Sequence, residues 1–304
     1  MPAIIRDGFH ILDLGEIEFL RVESERLDAC ISYLKINPHL GVNIWKSSGK
    51  WSYYKLDNLD FLIKCPHVQS VRIQDDITDV SGLYHLKELK QLSVTKFKSK
   101  LDLTRFLHLI DFSGDWHNNI IGLDQCSKLE FLVLGSYNSK MKDLSNLSGL
   151  KSLSQLSLVR GNITSLHGIE DMPLVKMDLS YISTLTDISA VAKLSSIEVL
   201  RFDCCKKISS FNCISSLKRL KELGISACGE IASINFVSTL SELQLLSLVD
   251  STVADGNLEA LKKLDKLTHV GFYGMGKQKN CTPSVEEIKQ WIIAKHGEKT
   301  AKVM

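Results

Sequence analysis

One short pattern governs this chain. A block of the form L-x-x-L-x-L returns every 18 to 24 residues between Val68 and Phe272. Its copies are VQSVRI (Val68–Ile73), LKQLSV (Leu89–Val94), LHLIDF (Leu107–Phe112), LEFLVL (Leu129–Leu134) and LSQLSL (Leu153–Leu158). They continue as LVKMDL (Leu174–Leu179), IEVLRF (Ile197–Phe202), LKELGI (Leu220–Ile225), LQLLSL (Leu243–Leu248) and LTHVGF (Leu267–Phe272). Such a period is the sequence mark of a solenoid, because one coil cannot bury its apolar edge alone whereas a stack of coils can.

With the first residue of each block counted as position one, positions one, four and six are apolar and those between are mixed. Alternation from position three to seven predicts a short strand with one buried face. After the strand the apolar spacing changes to three: Leu185, Ile188, Val191, Leu194; then Ile208, Phe211, Ile214, Leu217; then Ile231, Ile234, Val237, Leu240. Ile163, Leu166, Ile169 and Met172 repeat the signal more briefly. Spacing by threes suits a 3-10 turn or short irregular helix on the outer side of each coil.

These blocks resemble the leucine-rich repeat family, most of all its short-coil internalin and phosphatase-regulator branch. The resemblance covers residues 59–275. It implies an α/β solenoid of about ten coils with a parallel sheet on the concave side and 3-10 or short helical segments on the convex side. At roughly 4.8 Å per strand such a sheet spans on the order of 45–50 Å. The family's Asn or Cys at position nine is matched by Cys205 and Cys228, whereas Tyr137, Gly161 and Ile182 depart from it. The block at Leu107 begins only 18 residues after its predecessor, so an irregular coil is expected between Phe97 and Asn119.

Residues 1–58 read as an N-terminal cap, with a helical stretch at Glu25–Leu34, an alternation at Leu40, Val42 and Ile44, and the aromatics Trp45, Trp51, Tyr53 and Tyr54. Residues 276–304 read as a C-terminal cap. There Thr282 and Pro283 supply an N-cap and a first-turn proline, and Val285, Ile288, Trp291 and Ile292 form an apolar stripe at helical spacing.

Hydrophobic content of 44% and charged content of 24% are those of a globular chain. A formal net charge of +2 provides no field that would draw nucleic acid or an anionic membrane. No run of 18 apolar residues is present, and Asp7, Asp13 and Glu16 interrupt any secretory leader. The expected setting is the cytoplasm, with the 8 cysteines reduced.

No catalytic constellation emerges. Cys204, Cys205, Cys213 and Cys228 lack metal-ligand spacing and an accompanying His, and Cys205 and Cys228 read as a structural stack. The histidines are scattered, and no nucleophile elbow, zinc-helix pair or phosphate loop occurs. Asp111, Asp178, Asp203 and Glu222 project from strands, yet a flat open sheet is expected not to desolvate them as acid–base work requires. No cofactor and no metal are expected. Lys96, Lys98 and Lys100 lack interleaved aromatic platforms and read as a solvated edge.

The expected binding surface is the concave face. Ser and Gly give it low relief, Leu109, Phe131, Val133, Val159 and Leu245 put apolar groups on it, and Arg72, Asp111, Lys176, Asp178, Arg201, Asp203, Glu222, His269 and Tyr273 supply polar anchors. Phe97, Trp116, Tyr137 and Tyr181 lie along one rim, with Trp116 and Tyr181 expected to be exposed. Exposed apolar groups beside charges characterise protein interfaces. The sequence thus predicts a non-catalytic module, monomeric when free, that grips a protein partner. An inhibitor or immunity-type antidote occluding a toxin fits best, by analogy with family members that inhibit nucleases by occlusion. The alternatives are a regulatory or scaffold subunit of an enzyme such as a phosphatase and, remotely, an enzyme with a site in the first 58 residues.

Overall fold

The computed structural model describes residues 4–45, 56–74, 77–95, 99–272, 281–297 and 302–303. The chain forms two compact units, Met1–Leu134 and Gly135–Met304.

The first unit opens with an antiparallel meander, which the block pattern did not foretell. β1 (Ile4–Arg6) pairs with β2 (Phe9–Asp13), and β2 with β3 (Glu18–Arg21). Helix α1 (Leu27–Ile36) buries Cys30, Ile31, Tyr33 and Leu34 and stops one residue before Asn37, whose successor Pro38 disfavours helical backbone at that position. It returns the chain to β4 (Gly41–Ile44), which lies parallel to β3. The repeats then add β5 (Ser70–Ile73), β6 (Gln91–Val94), the short outer β7 (Leu101–Asp102), β8 (Asp111–Asp115) and the outer β9 (Ile120–Ile121), before the start of β10 (Phe131–Tyr137). Strands β4, β5, β6 and β8 are parallel neighbours, and β7 pairs with β9.

The third repeat corrects the sequence reading. Leu92 pairs with Phe112 and Gln91 with Asp111, so the block begins at Leu109 rather than Leu107. Leu109 is buried and Leu107 is exposed, the reverse of what was expected of Leu109. The consensus misleads because position six is here Gly114, where a Cβ would fall 2.6 Å from the Val94 carbonyl oxygen. With that register the coil beginning at Leu89 spans 20 residues, as the next one does, and Asp111 moves from position five to position three.

The second unit is regular. Its strands are β11 (Gln155–Gly161), β12 (Lys176–Ser180), β13 (Val199–Asp203), β14 (Glu222–Ser226), the outer β15 (Gly229–Ile231), β16 (Leu245–Ser247), the outer β17 (Ser251–Val253) and β18 (His269–Gly271). All the main strands pair in parallel with a shift of one coil, aligning Leu156, Met177, Leu200, Leu223, Leu246 and Val270 in one buried row. The predicted spacing by threes becomes 3-10 turns at Ser189–Lys193, Asn212–Ser216 and Asn235–Thr239. Helix α2 (Val285–His296) buries Ile288 and Ile292, and β19 (Lys302–Val303) pairs with β18. The N-cap of α2 is Ser284, not Thr282: its hydroxyl accepts from the Glu287 N–H while the Glu287 carboxylate accepts from the Ser284 N–H, a reciprocal capping box.

At six successive exits the described residue at position eight lies in the left-handed region without being glycine: Ser136, Arg160, Tyr181, Cys204, Ala227 and Asp250 have φ between 51 and 64°. The N–H groups of Tyr181, Cys204 and Ala227 donate to the carbonyls of Asp203, Ser226 and Val249 in the following coil. This bond accompanies a conformation that L-residues ordinarily avoid. At position nine the Cys205 thiol donates to the Leu179 carbonyl, that of Cys228 to Phe202 and the hydroxyl of Ser251 to Ile225, so small buried donors satisfy backbone acceptors coil after coil. Burial pushes the thiols up to about 11 at Cys205 and about 12 at Cys228, which keeps both protonated.

Candidate functional site: the open sheet faces of the two units

In the first unit the rows on the sheet face opposite the leucine core begin before the repeats. Register aligns Arg21, Asn43, Arg72, Ser93 and Ser113 across β3, β4, β5, β6 and β8. A second row holds Phe19, Gly41, Ser70, Gln91 and Asp111. Gly41 is required here, because a Cβ would sit 2.6 Å from Phe19 Cδ1 and the ring needs that space. The Arg72 guanidinium lies 5.7 Å from the centre of the Phe19 ring, a cation–π arrangement.

The turn between β2 and β3 walls this face. Leu14, Glu16 and Ile17 line a cavity of about 430 Å³ with Phe19, Arg72, Gln91 and Asp111. A second cavity of about 560 Å³ shares Leu14 and Arg72 and adds Leu12, Arg21, Asn43, Trp45 and Gln74. The wall has an electrostatic consequence. Burial pushes the Asp111 carboxyl up from its ordinary value and the Arg72 guanidinium down, each opposed by the charge of the other. The expectation that an open sheet leaves its carboxylates solvated therefore fails at Asp111. It fails because the meander ahead of the repeats is not visible in their pattern.

The second unit presents an unwalled chain of charges. Lys176 Nζ is 3.3 Å from Asp178 Oδ2, Arg201 Nη1 is 3.3 Å from Asp178 Oδ1, and Arg201 Nη2 is 2.6 Å from Glu222 Oε2. Gly224 makes room beside them, with its missing Cβ position 3.3 Å from Arg201 Cγ. Half-buried Val159, Val199 and Leu245 flank the ladder on a floor that includes Ser157 and Ser247.

The sequence matches no protein-family model, and no curated protein resembles it significantly. Solved structures do resemble it. An internalin, inlF from Listeria monocytogenes, superposes with a TM-score of 0.58 at 18% identity, over 79% of this chain and 69% of that one. The functional domain of InlJ from the same organism, described as including a cysteine ladder, gives 0.56 at 15% identity over 77% of this chain and 49% of that one. The mouse RP105/MD-1 complex gives 0.53 at 18% identity over 79% and 43% respectively.

This is the leucine-rich repeat fold. Within it the expected contact residues divide by unit. In the first, Arg72 and Asp111 meet in the walled cavity, Phe131 is half-buried and Val133 is exposed. Leu109 belongs to the core and is withdrawn as a contact. Trp116 is half-buried with its indole nitrogen shielded from solvent, so it is not the open contact expected of it. In the second unit Lys176, Asp178, Arg201 and Glu222 form the ladder, Asp203 is half-buried at the end of β13, and Tyr181 is 55% exposed at the left-handed position. His269 is half-buried, its Nδ1 2.7 Å from Thr268 Oγ1. Tyr137 is buried at position nine, whereas Tyr273, Phe97, Trp51, Tyr53 and Tyr54 lie outside the described residues.

The sequence reading missed Phe19, Arg21 and Asn43 on this leucine-rich repeat sheet. The alternation of Phe9, Ile11 and Asp13 and the short run Glu18–Arg21 were the available signals, and both are too short to outweigh the stronger repeats. Among the described residues no group of three or more His, Cys, Asp or Glu is arranged to hold a metal ion, and no helix is long and apolar enough to cross a membrane.

Proposed function

We propose that this protein is a non-catalytic binding module that recognises a protein partner through the open faces of its sheet. The observation that carries the reading is the ladder Lys176–Asp178–Arg201–Glu222, held across three strands and bordered by Val199 and Leu245. Neighbouring opposite charges hold one another in place, so a complementary surface meets side chains already ordered and loses less entropy on association. Arg beside accessible apolar groups is the composition from which interface hot spots are built. A protein of the same fold, mouse RP105, occurs in complex with MD-1, which supports a protein as the partner class.

More narrowly, we propose an inhibitor or immunity-type antidote that acts in the cytoplasm as a monomer and occludes a partner such as a toxin. A regulatory or scaffold subunit is the competing role, and it would leave its enzyme active. Affinity capture from the native host, followed by assay of the captured protein with and without this chain, separates them: loss of the partner's activity supports occlusion, and retained activity supports the scaffold. Arg201→Glu and Phe131→Ala should each weaken capture while leaving the fold intact, truncation of a hot spot costing about 2 kcal/mol. Capture indifferent to both changes would remove the open faces as the binding surface.

A further inference from the structure

The two cavities of the first unit meet at Arg72, and their polar groups are incomplete. Among the described residues no carboxylate lies within ion-pair distance of the Arg72 guanidinium, and its Nε–H is buried without an acceptor. Asn43, paired with Arg72 in register, is 2% exposed, and its Oδ1 is buried without a donor among the described residues. An unsatisfied donor and an unsatisfied acceptor, each costing free energy while unpaired, thus stand side by side at the edge of a space of about 560 Å³. That volume lies within the range of small-ligand pockets.

Chemistry restricts what fills it. Among the described residues the charged groups lining this cavity are Arg72 and Arg21, the latter lying 5.2 Å from the centre of the Trp45 ring, so the group Arg72 takes is anionic. The planar guanidinium fork matches a carboxylate in bidentate geometry. Asn43 Oδ1 requires an N–H beside that anion. Leu12, Leu14 and the exposed Trp45 offer an apolar wall to a side chain. On the other side of Arg72, Asp111 and Glu16 line the adjoining cavity and oppose a second negative charge, which disfavours a phosphate dianion.

We infer that this cavity captures the C-terminus of a partner polypeptide ending in an apolar residue. The terminal carboxylate accepts from Arg72, the N–H of the same residue donates to Asn43, and its side chain lies against Leu14 and Trp45. The penultimate residue then enters the neighbouring cavity, where Gln91, Ser93 and Asp111 receive uncharged or basic groups. The inference rests on the reading of this protein as a protein-binding module, but it concerns a different unit from the charge ladder.

The test uses the full chain and three probes: N-acetyl-glycyl-phenylalanine, its C-terminal amide, and inorganic phosphate. The arginine Nε–H resonances are followed by NMR, that of Arg72 being assigned by its disappearance in Arg72→Lys. The acid should shift the Arg72 resonance saturably, with the amide and phosphate each binding at least tenfold more weakly. Arg72→Lys, which keeps the charge and loses the fork, should weaken the acid at least tenfold, as read from tryptophan fluorescence. Equal binding of acid and amide, binding of phosphate as tight as the acid, no saturable shift with any probe, or an unaltered affinity in Arg72→Lys would overturn the assignment. Dipeptide binding is measured without a natural partner, so its failure is distinct from failed capture through the ladder of the second unit.

Discussion

In the Met1–Leu134 unit the coils at Leu89, Leu109 and Leu129 begin 20 residues apart, whereas in the Gly135–Met304 unit those at Leu174, Ile197, Leu220 and Leu243 begin 23 apart. Both lengths build the same parallel strand and the same buried rows. They differ in how the chain leaves the strand. The 23-residue coils at Leu174, Ile197 and Leu220 pass through a left-handed residue at position eight, while in the 20-residue coil at Leu109 the residue at that position, Trp116, does not. The faces differ as well: one is walled by a hairpin turn and desolvates an Asp and an Arg, the other is open and its charges neutralise each other. The inner positions therefore decide that a strand forms and pairs, and the residues outside the repeat decide what its face can hold.

The most damaging test of the shared interior is a cavity in each unit. Leu92→Ala and Leu156→Ala both truncate side chains that are 1% exposed, and each should cost about 2–5 kcal/mol in urea denaturation. A clearly smaller loss at Leu92 would show that the first unit depends less on its buried row and more on the meander. Next comes the exit residue peculiar to the second unit. Ala227 has φ 51°, so Ala227→Gly should gain about 1 kcal/mol and Ala227→Val should lose at least as much in thermal unfolding. Equal behaviour of the two variants would mean that the left-handed residues carry no strain.

A smaller effect on stability is expected from the ladder. Arg201 is well exposed, and exposed ion pairs contribute about 0–1 kcal/mol. Arg201→Met should therefore change the denaturation midpoint little, in contrast to its effect on partner capture. The smallest and most specific test concerns the wall. Asp111 has its folded-state pKa raised by burial, so relative to the unfolded chain its contribution is most favourable below its ordinary value of 3.8 and is lost as pH rises through the raised folded value. Asp111→Asn should accordingly raise the melting temperature slightly at pH 7 and lose that advantage in acid. An identical increment at pH 3 and pH 7 would show that the wall does not desolvate Asp111.

The sequence reading found the strands, their inward residues and the 3-10 turns because the apolar spacing changes from two to three in register with the backbone. It went astray at Leu109 because Leu107, two residues earlier, fits the block in full, whereas the true start puts Gly114, pressed on the Val94 carbonyl, at the apolar position six. The ladder was legible for a simple reason: equivalent positions of successive coils become neighbours, so Asp178 and Arg201 at position five, and Lys176 and Glu222 at position three, could be placed on one face by counting. The walled cavity was not. Arg72 and Asp111 were picked out singly, but Phe19 and Asn43 reach them through a hairpin and a helical crossover that lie outside any period.

The left-handed exit has a practical corollary. At Tyr181, Cys204 and Ala227 its N–H bonds the carbonyl one coil ahead, so each of these three coils carries its own fastening to the next, and 23 residues form an interchangeable module. Excising Ile197–Arg219 would seat Leu220 where Ile197 stood and keep every fastening in phase. The shortened chain would lack Arg201, and Glu222, standing where Val199 stood, would come opposite Lys176 while Asp178 faced Gly224. Changing the number of coils in this chain is thus also a change in the surface it shows to a partner.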